Sequence, residues 1–163
     1  MNGKLRLLNP IPNKHTELVA CPVATRHCRE KEVPRVLLVD DITTNVKLLG
    51  LRLEMASCDF EVAWNGAQAL AHLESYDDFD FVLMDCQMPI MTGQEAVRKI
   101  RCSDKAYSRI KVICTSSMHS ADGSNGVDCA GCEVDGFICR SAGKEAFEEL
   151  VGGCQLENTG MEA

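Results

Sequence analysis

Apolar residues between positions 34 and 151 fall into short runs that alternate between two periods. Val36–Asp40 is continuously apolar up to its closing aspartate, which predicts a strand buried on both faces. Thr44 to Met55 then reads as a helix, with Val46, Leu49 and Leu53 on one stripe. Phe60–Trp64 alternates as a short strand. Asn65–Gly66 turns into a helical run over Ala67–Leu73, in which Leu70 and Leu73 are spaced for one face. Phe81–Met84 is a second continuous apolar strand and ends at Asp85. Thr92-Gly-Gln-Glu95 is a capping box, in which the hydroxyl caps the first turn and the glutamate reaches back. Ala96, Val97 and Ile100 supply the buried stripe behind it. Ile110–Cys114 and Gly136–Cys139 predict two further strands, and Phe147, Leu150 and Val151 mark a last helix. Residues 119–130 complete the alternation as a helix, weakened by Gly123 and Gly126, each costing about 1 kcal/mol against alanine.

Strands alternating with helices imply a parallel sheet covered on both faces, with right-handed crossovers. In such sheets the reactive crevice lies beyond the C-terminal strand ends. Outside this pattern, residues 1–33 carry Pro10, Pro12 and Pro22 without a sustained period and are expected to be a disordered basic arm. Residues 34–151 form the domain, and 152–163, with Gly152, Gly153 and Gly160, are expected to be a flexible tail.

Composition narrows the class. The chain has 163 residues, 45% apolar and 25% charged, the balance of an ordinary globular domain. No apolar run approaches the ~20 residues of a membrane span. The net charge of −7 is uneven, since the first 33 residues are basic and the rest is strongly acidic. An acidic body argues against direct binding of nucleic acid, which needs clustered Lys and Arg. The N-terminus has no secretory pattern. The ten cysteines, several inside apolar runs, are therefore expected to be reduced, inert thiols. The compartment expected is the cytoplasm, with the nucleus as the alternative. Cys129-Ala-Gly-Cys132 lacks a second pair to complete a zinc site, and Cys86 is expected to pack in the core.

The predicted strands end in Asp40-Asp41, Asp85, Ser116 and Arg140. One crevice thus collects three carboxylates, a hydroxyl and a cation. Crowded carboxylates raise one another's pKa unless a cation joins them. Mg²⁺ suits such oxygen donors and leaves room for a phosphoryl group. The hydroxyl and the cation would bind the remaining phosphoryl oxygens. The chemistry implied is phosphoryl transfer to a carboxylate, giving an acyl phosphate.

Val36-Leu-Leu-Val-Asp40-Asp41, with Asn45 four residues on, resembles the opening of a response-regulator receiver domain. Leu83-Met-Asp85-Cys-Gln-Met-Pro89-Ile-Met-Thr-Gly93 is similar to that family's phosphoacceptor strand and loop, in the spacing of receivers served by hybrid histidine kinases. The resemblance covers residues 34–151. It implies a flavodoxin-like (βα)5 doubly wound sheet in the order 2-1-3-4-5, with the fourth helix weakened. It makes Asp85 the phosphoacceptor. Asp40, Asp41, Asp85 and the backbone carbonyl of Gln87 become the Mg²⁺ ligands. Ser116 becomes the phosphoryl-sensing hydroxyl, Phe137 the aromatic switch, and Arg140 the occupant of the family's lysine position.

The chain departs from the family at several points. Arginine replaces lysine at 140, with a larger planar fork. Ser141 replaces the family's proline, usually preceded by a cis bond, so a trans bond is expected here. The stretch from Ser116 to Arg140 is slightly longer than usual, with the extra residues near Cys132–Val134. Ile42 replaces a common asparagine. Blander readings stand beside the family roles: Ser116 as a helix cap, Arg140 as a surface cation or an ion pair with a pocket aspartate, and Phe137 as core.

The function expected is a stand-alone receiver domain of a two-component phosphorelay, not an enzyme beyond its own phosphorylation and dephosphorylation. Its partner would be a histidine kinase or a histidine phosphotransfer protein. The alternative is a degenerate receiver that binds partners constitutively. A haloacid-dehalogenase-like phosphatase is set aside, because Gln87 stands where its second aspartate belongs.

Overall fold

The computed structural model describes residues 33–116 and 133–158, with side chains described as far as Gly153. The expected fourth helix over 119–130, Cys129 and Cys132, and all of the N-terminal arm but Val33 lie outside the described residues. Five strands form one sheet: β1 (Arg35–Val39), β2 (Asp59–Ala63), β3 (Phe81–Asp85), β4 (Lys111–Ser116) and β5 (Gly136–Cys139). Their order is β2-β1-β3-β4-β5, and every pairing is parallel. The described helices are α1 (Thr43–Met55), α2 (Gly66–Ser75), α3 (Gly93–Arg101) and α4 (Lys144–Asn158), with a 3-10 turn at Ala106–Arg109. This is the flavodoxin-like topology that the alternating pattern and the resemblance imply.

The strict alternation of strand side chains divides the core. Val36, Leu38, Leu83 and Ile113 pack with Leu49 and Leu53 of α1 and Phe147 and Val151 of α4. Leu37, Val39, Val82, Met84 and Val112 pack with Ala69 and Leu73 of α2 and with Ala96, Val97 and Ile100 of α3. Burying a Leu or Phe stabilises by about 1.5–3 kcal/mol relative to leaving it exposed. The fully buried Leu37, Leu38 and Leu83 therefore hold β1 and β3 in fixed register. That register brings the C-terminal ends of β1 and β3, and so Asp40 and Asp85, to the same rim.

Local signals set the helix starts. Asn65 caps α2 by accepting the Gln68 N–H at 2.9 Å. Thr92 and Glu95 make the capping box of α3 in both directions. Ile42, at the N-cap of α1, supplies no side-chain cap. Its own N–H is taken instead by the Asp40 carboxylate at 2.9 Å. α4 continues through Asn158, past Gly152 and Gly153, where the sequence pattern fades.

Phe137 departs from the core reading. It is 37% exposed. β5 is an edge strand, paired only with β4, so a side chain on it gains cover from fewer neighbours.

Candidate functional site

The rim above β1, β3 and β5 gathers Asp40, Asp41, Asp85 and Arg140. Carboxylate oxygens of the three aspartates lie within 4.8 Å of one another. Asp40 is fully buried and held from several sides. Asn45, in the first turn of α1, donates its amide to both carboxylate oxygens at 3.1 Å. Arg140 reaches in from the turn after β5. Its Nη1 lies 3.3 Å from Asp85 Oδ2 and 3.4 Å from Asp40 Oδ2. Thus Arg140 is an ion-pair partner of two pocket aspartates. The described residues contain no cis peptide bond, so the Arg140–Ser141 bond is trans, as the missing proline leads one to expect.

Asp85 is 5% exposed, and burial pushes its carboxyl above the ordinary aspartate range. The charge of Arg140 opposes that rise, while the neighbouring Asp40 adds to it. The backbone N–H groups of Cys86 and Gln87 donate to the Asp85 carboxylate and pull it back down. The loop that delivers these donors folds tightly. Gly93 N–H bonds the Cys86 carbonyl at 3.1 Å, and a Cβ at Gly93 would stand 2.1 Å from the Asp85 carbonyl oxygen. Only glycine fits that approach. Ile90, three residues earlier, has φ +70° and is 85% exposed.

Ser116 closes β4, one residue beyond Thr115, which pairs in register with Asp85. Its carbonyl accepts the Arg140 N–H at 2.8 Å, so the hydroxyl-bearing residue and the cation-bearing residue share a backbone link. Gln87 is exposed on the loop after β3. Phe137 sits on β5, opposite Cys114 in register. The helix that Ser116 would cap lies outside the described residues.

The donor set fits a hard dication. It is all oxygen, and Asp41 Oδ1 is buried with no hydrogen-bond partner. A buried polar atom left unpaired is costly, and a cation would satisfy it. These three carboxylates can hold a metal ion.

Two features escaped the sequence reading. Asn45 belongs to the opening motif, but its hold on Asp40 depends on how α1 starts. Cys86 is buried as expected, packed with Cys114 and Val134. It is nevertheless disulfide-bonded, whereas reduced thiols were expected throughout. Cys58, Cys102, Cys114 and Cys139 remain thiols.

The family model described as the response regulator receiver domain matches residues 36–151. The chain is 29% identical over 123 residues to hybrid signal transduction histidine kinase L of Dictyostelium discoideum, covering 74% of this chain and 7% of the kinase. It is 32% identical over 117 residues to the virulence sensor protein BvgS of Bordetella pertussis, covering 71% of this chain and 9% of that protein. It therefore spans less than a tenth of the length of these two relatives. Among solved structures, the receiver domain of sensor histidine kinase PA1611 from Pseudomonas aeruginosa superposes with a TM-score of 0.63 at 22% identity, covering 76% of this chain and 96% of that one. That structure holds a magnesium ion in its active site cleft. The chemotaxis response regulator CheY4 of Vibrio cholerae gives 0.62 at 23% identity, covering 75% and 98%. At these identities the solved structures establish the fold. No described helix is long and apolar enough to cross a membrane.

Proposed function

Because the chain belongs to the response-regulator receiver domain family, we propose that it accepts a phosphoryl group on Asp85 from the phosphohistidine of a histidine kinase or histidine phosphotransfer protein. The observation that carries this reading is the carboxylate cluster with Arg140 Nη1 at 3.3 Å from Asp85. In the transfer, an Asp85 carboxylate oxygen forms a bond to phosphorus as the phosphorus–nitrogen bond of the donor breaks. The electron pair leaves on the imidazole nitrogen, and the product is an acyl phosphate. Asp40, Asp41, Asp85 and the Gln87 carbonyl would hold Mg²⁺. When bound, the ion neutralises charge on the transferring phosphoryl oxygens.

This chain's own residues do the rest. Asn45 fixes Asp40 in place. The N–H groups of Cys86 and Gln87 favour the ionised, nucleophilic form of Asp85. Arg140 stands beside the nucleophile, and its charge attracts the incoming phosphoryl group. Ser116, linked to Arg140 through the backbone, senses the new group with its hydroxyl, and Phe137 on the exposed edge strand responds. The result is a signalling switch whose only catalysis is of its own phosphorylation and dephosphorylation.

Amide NMR spectra of the full chain with Mg²⁺, then with added beryllofluoride, test this. Beryllofluoride stands in for the phosphoryl group. Shifts at Asp85, Ser116, Phe137 and Arg140, absent in Asp85→Asn, are expected. Mg²⁺ binding without a beryllofluoride response would contradict the phosphoacceptor role. Silence to both would leave a receiver that binds partners constitutively.

A further inference from the structure

Two isoleucines stand beside the candidate acceptor, and each breaks a local rule of folding. Ile42 is the N-cap of α1, where a polar side chain would bond an orphan backbone N–H. It makes no such bond and is 48% exposed. Ile90 is the middle residue of a three-residue turn, closed by the Met91 N–H on the Pro89 carbonyl at 2.8 Å. Its φ of +70° suits glycine or asparagine and strains a β-branched side chain, which is also 85% exposed. Sequences break such rules chiefly at functional sites. The two residues flank the carboxylate cluster from opposite sides. Ile42 leads from β1 into α1, which packs on one face of the sheet, and Ile90 precedes α3, which packs on the other. Trp64, 41% exposed, stands on the loop after β2, which the Gly66 N–H ties to the Met91 carbonyl at 3.1 Å. Inside this rim Asp40 is fully buried and Asp85 is 5% exposed. A phosphohistidine on a protein reaches Asp85 only if the surface around it presses on the rim.

We propose that Ile42 and Ile90 select the phosphoryl donor, by gripping apolar side chains that flank its phosphohistidine. The proposal rests on the phosphoacceptor reading of Asp85. In the free chain both side chains face water, and one of them strains its backbone, so neither is placed for the sake of folding. Against an apolar donor surface each leaves water, and that burial favours the complex. The contacts lie away from the reacting atoms and are the same before and during transfer. They are uniform binding, which lowers KM and leaves kcat unchanged. A small donor such as phosphoramidate does not span the rim and gains nothing from it.

The test uses the full chain in Mg²⁺ and two synthetic helical peptides. Each peptide carries one phosphohistidine, flanked a turn away on both sides by leucine in the first and by glutamine in the second. In the reaction the phosphorus–nitrogen bond breaks as an Asp85 oxygen bonds to phosphorus. The electron pair leaves on the imidazole nitrogen, which takes a proton from solvent. The leucine peptide should show a KM about tenfold lower than its glutamine twin, at equal kcat. In a variant carrying both Ile42→Asn and Ile90→Asn that preference should vanish, while the rate with phosphoramidate stays at the wild-type value. The variant should also melt at or above the wild-type temperature, because asparagine caps helices and tolerates positive φ. Equal KM values for the two peptides on the wild type, a preference that survives in the variant, an equal loss with phosphoramidate, or a variant that melts below the wild type would each overturn the docking role. Failure of phosphoramidate to modify wild-type Asp85 would overturn the phosphoacceptor reading, and the docking role with it.

Discussion

Arg35 and Arg140, at opposite ends of the sheet, each stand among several acids and are used differently. At the N-terminal end, Arg35 gives one guanidinium nitrogen to Asp78 and the other to Glu61. Its backbone N–H goes to Asp80 at 2.7 Å, and Phe79 lies 4.9 Å from its guanidinium carbon. At the C-terminal end, the Nη1 of Arg140 is shared between Asp40 and Asp85 at 3.4 and 3.3 Å. A fork that meets each acid separately, against an aromatic face, is a structural pin. A nitrogen stretched across two acids leaves charge uncompensated, which is where ligands and perturbed pKa values belong.

Substitutions should separate the two ends. The largest effect is expected from Gly93→Ala, which forces a Cβ into the Asp85 carbonyl. Urea unfolding should show a loss of about 4 kcal/mol, the range of severe backbone clashes. Arg35→Ala should cost about 3 kcal/mol, because it strands two partly buried carboxylates, and Mg²⁺ should not restore it. Arg140→Ala should cost about 2 kcal/mol in metal-free buffer, and Mg²⁺ should recover most of that by replacing the lost cation. If Mg²⁺ rescues both variants or neither, the contrast between the ends collapses.

The smallest effect has the opposite sign. The Asp85 carboxyl sits above its ordinary range in the folded chain, so the folded state keeps its proton longer than the unfolded state. The stability this confers is full below the unfolded pKa and is lost as pH rises through the higher folded value. At neutral pH without metal, Asp85→Asn should therefore be more stable than wild type by roughly 1 kcal/mol. Thermal melts across pH 4–8 check this, and a variant less stable than wild type would sink it.

Much of this arrangement was legible in the sequence. Continuous apolar runs ending in aspartate located β1 and β3, and the Thr92–Glu95 spacing located α3, because each is a local signal. The meeting of Asp40, Asp41, Asp85 and Arg140 followed from the topology of a parallel sheet. What escaped depends on surroundings that spacing does not encode. Phe137 lies in an apolar run, but its exposure follows from β5 being at the edge. Arg140 could have pointed to solvent, and the sequence left its ion pairs open. Cysteine pairing cannot be deduced from one sequence, so the bond at Cys86 had no signal.

The central claim is that the uncompensated end of the sheet makes Asp85 a phosphoryl acceptor. Phosphoramidate, which carries a phosphorus–nitrogen bond like phosphohistidine, tests it without a partner protein. Intact mass spectrometry of the full chain after incubation should find a single added phosphoryl group, dependent on Mg²⁺, mapped to Asp85 and missing from Asp85→Asn. An unmodified chain, or a phosphoryl group that survives in Asp85→Asn, would contradict the account.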